Sequence, residues 1–126
     1  MKTLVLGAST NPARYSFLAV NSLIDHGHEV IPVGLKKGSI NGFEILNGKP
    51  ELTDIDTVTL YLNAANQADW YDYILNLHPR RIIFNPGTEN NELDNLAQDN
   101  GIQTVIACTL VMLSTGVFDD ATIEQI

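Results

Sequence analysis

The feature that most constrains this chain is an alternation. Five short runs are apolar on both faces: Lys2–Gly7, Glu29–Val33, Thr57–Leu62, Arg81–Phe84 and Ile102–Ala107. Between them lie segments with helical periodicity. Asn11-Pro12 is a helix-start signal, because Asn caps and Pro suits the first helical position; Phe17, Val20 and Ile24 follow on one face, and Gly27 closes the segment. A second helix is expected from Asn66 or a neighbour to about Leu77, with Trp70, Ile74 and Leu77 together and Pro79 as its stop. A third runs from Asn90 to Asn100, with Leu93, Leu96 and Ala97 inward and Gly101 past its end. Thr109–Leu113 reads as a short last helix. Strands that are apolar on both sides need cover on both sides. Right-handed crossovers then give a doubly wound, five-stranded parallel sheet with helices on both faces, a three-layer αβα architecture of the α/β class.

A chain of 126 residues is one domain on length alone, long enough to bury a core without a metal or disulfide staple. The domain is expected over residues 1–118, with residues 119–126 as a loosely held acidic tail. Residues 34–54 are glycine-rich and irregular, and Asn47-Gly48 suits a tight hairpin turn. The single cysteine, Cys108, excludes an intramolecular disulfide. No apolar run reaches the roughly 18 residues of a membrane span, and the opening run is too short for a signal peptide. The expected compartment is the cytoplasm.

Net charge is −8, which disfavours nucleic acid and anionic membrane as partners. Cations are concentrated in the first half. Residues 1–50 hold Lys2, Arg14, Lys36, Lys37 and Lys49 against Asp25, Glu29 and Glu44, whereas residues 51–126 hold Arg80 and Arg81 against twelve acids.

In a doubly wound sheet, ligands bind at the carboxyl ends of the strands, near the switch point. The first such loop is Gly7-Ala8-Ser9-Thr10-Asn11-Pro12-Ala13-Arg14. Glycine permits a tight turn, backbone amides and a helix N-terminus attract an anion, and Arg14 can fork onto a phosphate. The loop lacks the P-loop signature G-x-x-x-x-G-K-[ST], and Ser9 and Pro12 stand where a dinucleotide fingerprint needs glycines. After the second strand, Val33-Gly34-Leu35-Lys36-Lys37 carries no acid for a ribose diol; two lysines there suit an extra ribose phosphate. A receiver domain lacks its acids, and the hydroxyl-rich loop leaves a flavodoxin-like site open. His26, His28 and His78 are dispersed and read as surface residues, with no metal constellation and no serine triad. Trp70, Tyr71 and Tyr73 read as core or a subunit interface rather than a base platform. Cys108, after a strand, reads first as an inert core thiol.

The run Gly7-Ala8-Ser9-x-x-Pro12-x-Arg14-x-Ser16, with Gly27-x-x-Val30-Ile31-Pro32-Val33, resembles the small bacterial CoA-binding proteins. Their domain is similar to the N-terminal domain of the succinyl-CoA synthetase α subunit. Ile82-Ile83-Phe84-Asn85-Pro86-Gly87-x-x-Asn90-x-Glu92 and Ile102-x-x-Val105-Ile106-Ala107-Cys108 extend the resemblance from Lys2 to about Phe118. It implies a Rossmann-like sheet with a CoA site; the lack of any nucleophile–base pair in the loops makes a module that binds coenzyme A or an acyl-CoA, without its own chemistry, the first expectation. The pyrophosphate would lie over Ser9–Pro12, and Gly7 and Ala8 would form the turn. Arg14 with Lys36 or Lys37 would pair with phosphates, including the ribose 3′-phosphate. Val33 and Gly34 would pass under the adenosine. Pantetheine would run towards Asn85, Pro86, Gly87 and Cys108, and Asn63, after the third strand, is also expected at the site. Three places depart from the family pattern: Gly34-Leu35 replaces Asn-Pro, Leu62-Asn63-Ala64-Ala65 replaces an Arg-Pro-like pair, and Ile106-Ala107 replaces Asp-Arg. Two other readings stand beside this one. One is an NADPH-binding oxidoreductase or its remnant; the other is a regulatory or scaffold subunit with a vestigial pocket. The expected partner is a small nucleotide ligand, with a homodimer or a partner enzyme as further options.

Overall fold

A computed structural model describes residues 1–119. The five expected strands form one parallel sheet: β1 (Lys2–Leu6), β2 (Glu29–Val33), β5 (Thr57–Leu60), β6 (Arg81–Phe84) and β7 (Gln103–Ile106), in the order β2-β1-β5-β6-β7. The register is continuous, with Leu6 opposite both Val33 and Leu60, and Phe84 opposite Ile106. Beyond β2, Leu46 makes one parallel bridge to Val33, a single rung where a sixth strand would lie.

Alternation of side chains along each strand produces two cores. Val5, Val30, Ile83 and Val105 meet Val20 and Leu23 of α1 (Tyr15–Asp25) and Met112 and Leu113 of α5 (Thr109–Ser114). On the opposite face Leu4, Leu6, Val58, Leu60, Ile82 and Phe84 meet Ile74 of α3 (Tyr71–Leu77) and Leu93 and Ala97 of α4 (Asn91–Asp99). Each such aliphatic side chain contributes about 1.5–3 kcal/mol when removed from water. The architecture is the Rossmann-like αβα sandwich.

Several local expectations move. The hairpin is β3 (Ser39–Ile40) with β4 (Phe43–Glu44), turning at Asn41-Gly42 rather than at Asn47-Gly48. Asn41 (φ 49°) and Gly42 (φ 85°) supply the two left-handed residues a primed turn needs, whereas the Asn47 side chain donates to the Gly34 carbonyl at 2.9 Å. The second helix starts as α2 (Ala64–Gln67), capped by Asn63, passes through a 3-10 turn at Ala68–Trp70 and continues as α3. His78 (φ 51°) ends it in a left-handed cap just before Pro79.

His28 is not a surface residue. Its side chain is 6% exposed, with Nε2 3.2 Å from Asp119, Nδ1 3.0 Å from the Met1 ammonium and its ring against Phe118. Burial, then the ammonium, pull His28 below its ordinary value against the attraction of Asp119. Phe118 also covers Arg81, whose Cζ lies 4.4 Å from the ring centre and which donates to the Thr57 hydroxyl and the Phe118 carbonyl. Burial pulls the Arg81 guanidinium down to about 10. Arg81 starts β6 and Phe84 ends it, so this cluster lies at the amino edge of the sheet, opposite the loops considered next. From residue 120 on, the expected acidic tail lies outside the described residues.

Candidate functional site

The strand order reverses at β1: β2 lies on one side and β5 on the other. Beside the carboxyl ends of those two strands opens a hollow of about 650 Å³. Its floor begins with a tightly held turn. The Gly7 and Ala8 amides both donate to the Val33 carbonyl at 2.9 Å. Gly7 has φ 100°, and a Cβ there would sit 3.0 Å from the Tyr61 carbonyl carbon and oxygen. A Cβ on Gly34 would come within 2.2 Å of the Ala8 carbonyl oxygen, so the first and second loops touch backbone to backbone.

The loop then departs from the expected helix start. The Ser9 hydroxyl accepts from the Asn11 amide at 3.1 Å, and Asn11 Oδ1 accepts from the Ala13 amide at 3.0 Å. These two side chains bend the backbone locally instead of capping a helix. Helix α1 therefore begins three residues after Pro12, at Tyr15, with Arg14 in the cap position (φ −87°, ψ 140°). Arg14 offers no side-chain acceptor, and the first turn holds no acid. Among the described residues, the amides of Ser9, Thr10, Tyr15, Ser16 and Phe17 make no hydrogen bond. Ser9, Thr10, Tyr15 and Ser16 line the hollow. An uncapped N-terminus carries about half a positive charge.

The charges sharpen this picture. Lys2 reaches Glu29 and the Thr53 carbonyl, Lys49 the Asp69 carbonyl and the Trp70 ring, Arg80 pairs with Asp56 at 2.9 Å, and Arg81 is buried under Phe118. Among the described residues Arg14, Lys36 and Lys37 have no such partner. Arg14 and Lys36 line the hollow, and Lys37 is adjacent in the chain. Two of the three unpartnered cations of an acidic protein thus line one opening, and the third follows Lys36 in the chain.

The far wall comes from the loops after β5 and β6: Tyr61, Leu62 and Asn63, then Pro86, Gly87 and Thr88. Asn63 lines the hollow while its side chain caps α2 by accepting from the Asn66 amide. Asn85 does not line it. That side chain is buried, donating to the Thr59 hydroxyl and the Leu60 carbonyl and accepting from the Thr109 amide at 2.8 Å. It ties the ends of β5, β6 and α5 together. Cys108 is half-buried and outside the lining, as are Pro12, Val33, Gly34 and Lys37. Val33 belongs to the core, where its carbonyl holds the first turn. Tyr61 has a buried hydroxyl that makes no hydrogen bond, near the Thr59 and Thr109 hydroxyls, which bond each other at 2.8 Å. Burial pushes the Tyr61 phenol well up.

Of the residues expected at the site, the structure brings Gly7, Ala8, Ser9, Thr10, Asn11, Arg14, Lys36, Asn63, Pro86 and Gly87 around one space. It adds Tyr15, Ser16, Leu35, Ile45, Tyr61, Leu62 and Thr88. Ser16 stands in the same run as Arg14, and Leu35 sits between Gly34 and Lys36, so both carried a positional signal; Ile45 and Tyr61 carried none. No histidine, carboxylate or cysteine appears in this lining. No group of metal-binding side chains occurs among the described residues. Among them, no helix is long and apolar enough to cross a membrane.

The family described as "CoA binding domain" matches residues 1–114. The chain belongs to that family. Solved structures agree with this fold for the CoA-binding domain. A crystal structure of an uncharacterized protein is 56% identical, with TM-score 0.91, covering 93% of this chain and 97% of that one. A Thermus thermophilus protein, cell-free ID.343, is 21% identical with TM-score 0.81, covering 93% and 90%. The dinucleotide-forming acetyl-coenzyme A synthetase 1 of Ca. Korarchaeum cryptofilum is 14% identical with TM-score 0.69, and the match covers 82% of this CoA-binding domain but 25% of that chain. No curated protein matches the sequence.

Proposed function

We propose that the hollow binds coenzyme A or an acyl-CoA and that the domain performs no chemistry of its own. One observation carries the reading: helix α1 is left uncapped, and Ser9, Thr10, Tyr15 and Ser16, whose amides make no hydrogen bond, line the same space as Arg14 and Lys36, which have no ion-pair partner among the described residues. A pyrophosphate satisfies those amides, and its charge is matched by Arg14. Lys36, or Lys37 next to it in the chain, would pair with the ribose 3′-phosphate. The pantetheine arm runs along Pro86 and Gly87 towards Cys108. The volume, about 650 Å³, falls within the usual range for small-molecule sites.

Titration calorimetry with CoA, dephospho-CoA and NADPH tests this. CoA is expected to bind more tightly than dephospho-CoA, and NADPH more weakly than either. Tight NADPH binding with no CoA heat would transfer the site to the oxidoreductase reading, and silence from all three would leave the scaffold reading. A native mass spectrum of freshly purified protein adds a check, because co-purified CoA brings its own mass.

A further inference from the structure

The segment between β2 and β3 is fastened at two points and free between them. At one end, the Gly34 amide donates to the Leu46 carbonyl at 3.0 Å and the Gly34 carbonyl accepts from Asn47. At the other, the Gly38 carbonyl accepts from the Ile45 amide at 2.8 Å, and a Cβ on Gly38 would lie 2.5 Å from Thr10 Cγ2. Leu35, Lys36 and Lys37 form no hydrogen bond or ion pair. Leu35 is 91% exposed although it lines the hollow, and Tyr15 across the opening is 71% exposed. A leucine this open has apolar surface to bury, and two adjacent lysines repel one another until an anion sits between them.

We propose that residues 35–37 are a strap that closes over the occupied hollow, hinged at Gly34 and Gly38. A ligand with both phosphates and an apolar body completes it. The phosphates draw in Lys36, and the apolar body takes Leu35 out of water. Glycine lets each hinge lie close to the first loop: a Cβ on Gly34 would clash with the Ala8 carbonyl oxygen, and one on Gly38 (φ 155°) would meet the Thr10 methyl.

This inference rests on the CoA reading, and the experiment separates the two. Trypsin is applied briefly to the full chain with and without CoA, and fragments ending at Lys36 or Lys37 are counted by mass spectrometry. In parallel, Leu35→Trp protein is followed by fluorescence, with the wild-type Trp70 signal as background and calorimetry to establish occupancy. The expected result is early cutting after Lys36 and Lys37 in the free protein, slowed at least tenfold by CoA, with a blue shift of the Leu35→Trp emission. Resistance of the free protein at those bonds overturns the strap. CoA heat with unchanged cutting and unshifted emission overturns the strap while the binding site stands. No CoA heat removes both.

Discussion

Two long helices begin at the carboxyl edge of the sheet, and they are finished differently. At α4, Asn90 Oδ1 accepts from the Glu92 and Leu93 amides, Glu92 and Asp94 sit in the first turn, and Asn90 Nδ2 is itself held by Gln67 and Tyr71. At α1 the cap position is a cation, the first turn has no acid and three amides are open. Two ends of one sheet edge thus carry opposite local charge. A helix end satisfied by its own chain serves stability. One left unsatisfied beside unpaired cations can accept an anion from outside.

That contrast can be broken from either side. The largest effect is expected at the closed end. Asn90→Ala removes the cap and strips Gln67 and Tyr71 of a shared partner, lowering the urea-unfolding free energy by about 2–3 kcal/mol while CoA affinity stays within about twofold. At the open end the pattern reverses. Arg14→Ala should weaken CoA by roughly 10- to 100-fold in calorimetry, with unfolding free energy changed by less than about 0.5 kcal/mol. Equal loss of stability in both variants would erase the distinction. Closing the open end is a subtler intervention. Arg14→Asn supplies the missing cap and should raise stability by about 0.5–1 kcal/mol while weakening CoA, the trade expected where function keeps a site unsatisfied.

The smallest effect belongs to the amino edge and acts as a control. His28 in the folded protein titrates below 6.5, so the unfolded chain binds more protons in the window beneath that value. Its contribution to stability is therefore complete above about pH 6.5 and declines as pH falls through that window. His28→Gln should flatten this slope in pH-dependent melting and leave CoA affinity untouched.

The central strands were legible because each buries both faces, so Leu4-Val5-Leu6 and Ile82-Ile83-Phe84 admit little else. The helix start was not. Asn11-Pro12 carries the ordinary signal, but Ser9 and Asn11 spend their side chains on the next turn, a choice among local partners that composition does not reveal. The hairpin shows the same ambiguity: two Asn-Gly pairs compete, and the outcome depends on Asn47 finding the Gly34 carbonyl. At the site, the first loop and Lys36 were visible in the sequence. The commitment of Asn85 to β5, β6 and α5 was not, since a polar residue after a strand reads alike whether it faces a ligand or a neighbouring hydroxyl.

The lone rung at Leu46 has a consequence for the sheet edge beside the opening. A basic opening edged with bare apolar side chains is the kind of surface on which chains adhere and zip together. At this rung of the adjoining margin an incoming backbone finds no free partner, because Pro32 lacks a donor, its carbonyl is taken by Leu46, and the Leu46 carbonyl is taken by Gly34. An opening lined by Arg14, Lys36 and Leu35 is thereby set beside a blunted stretch of sheet edge.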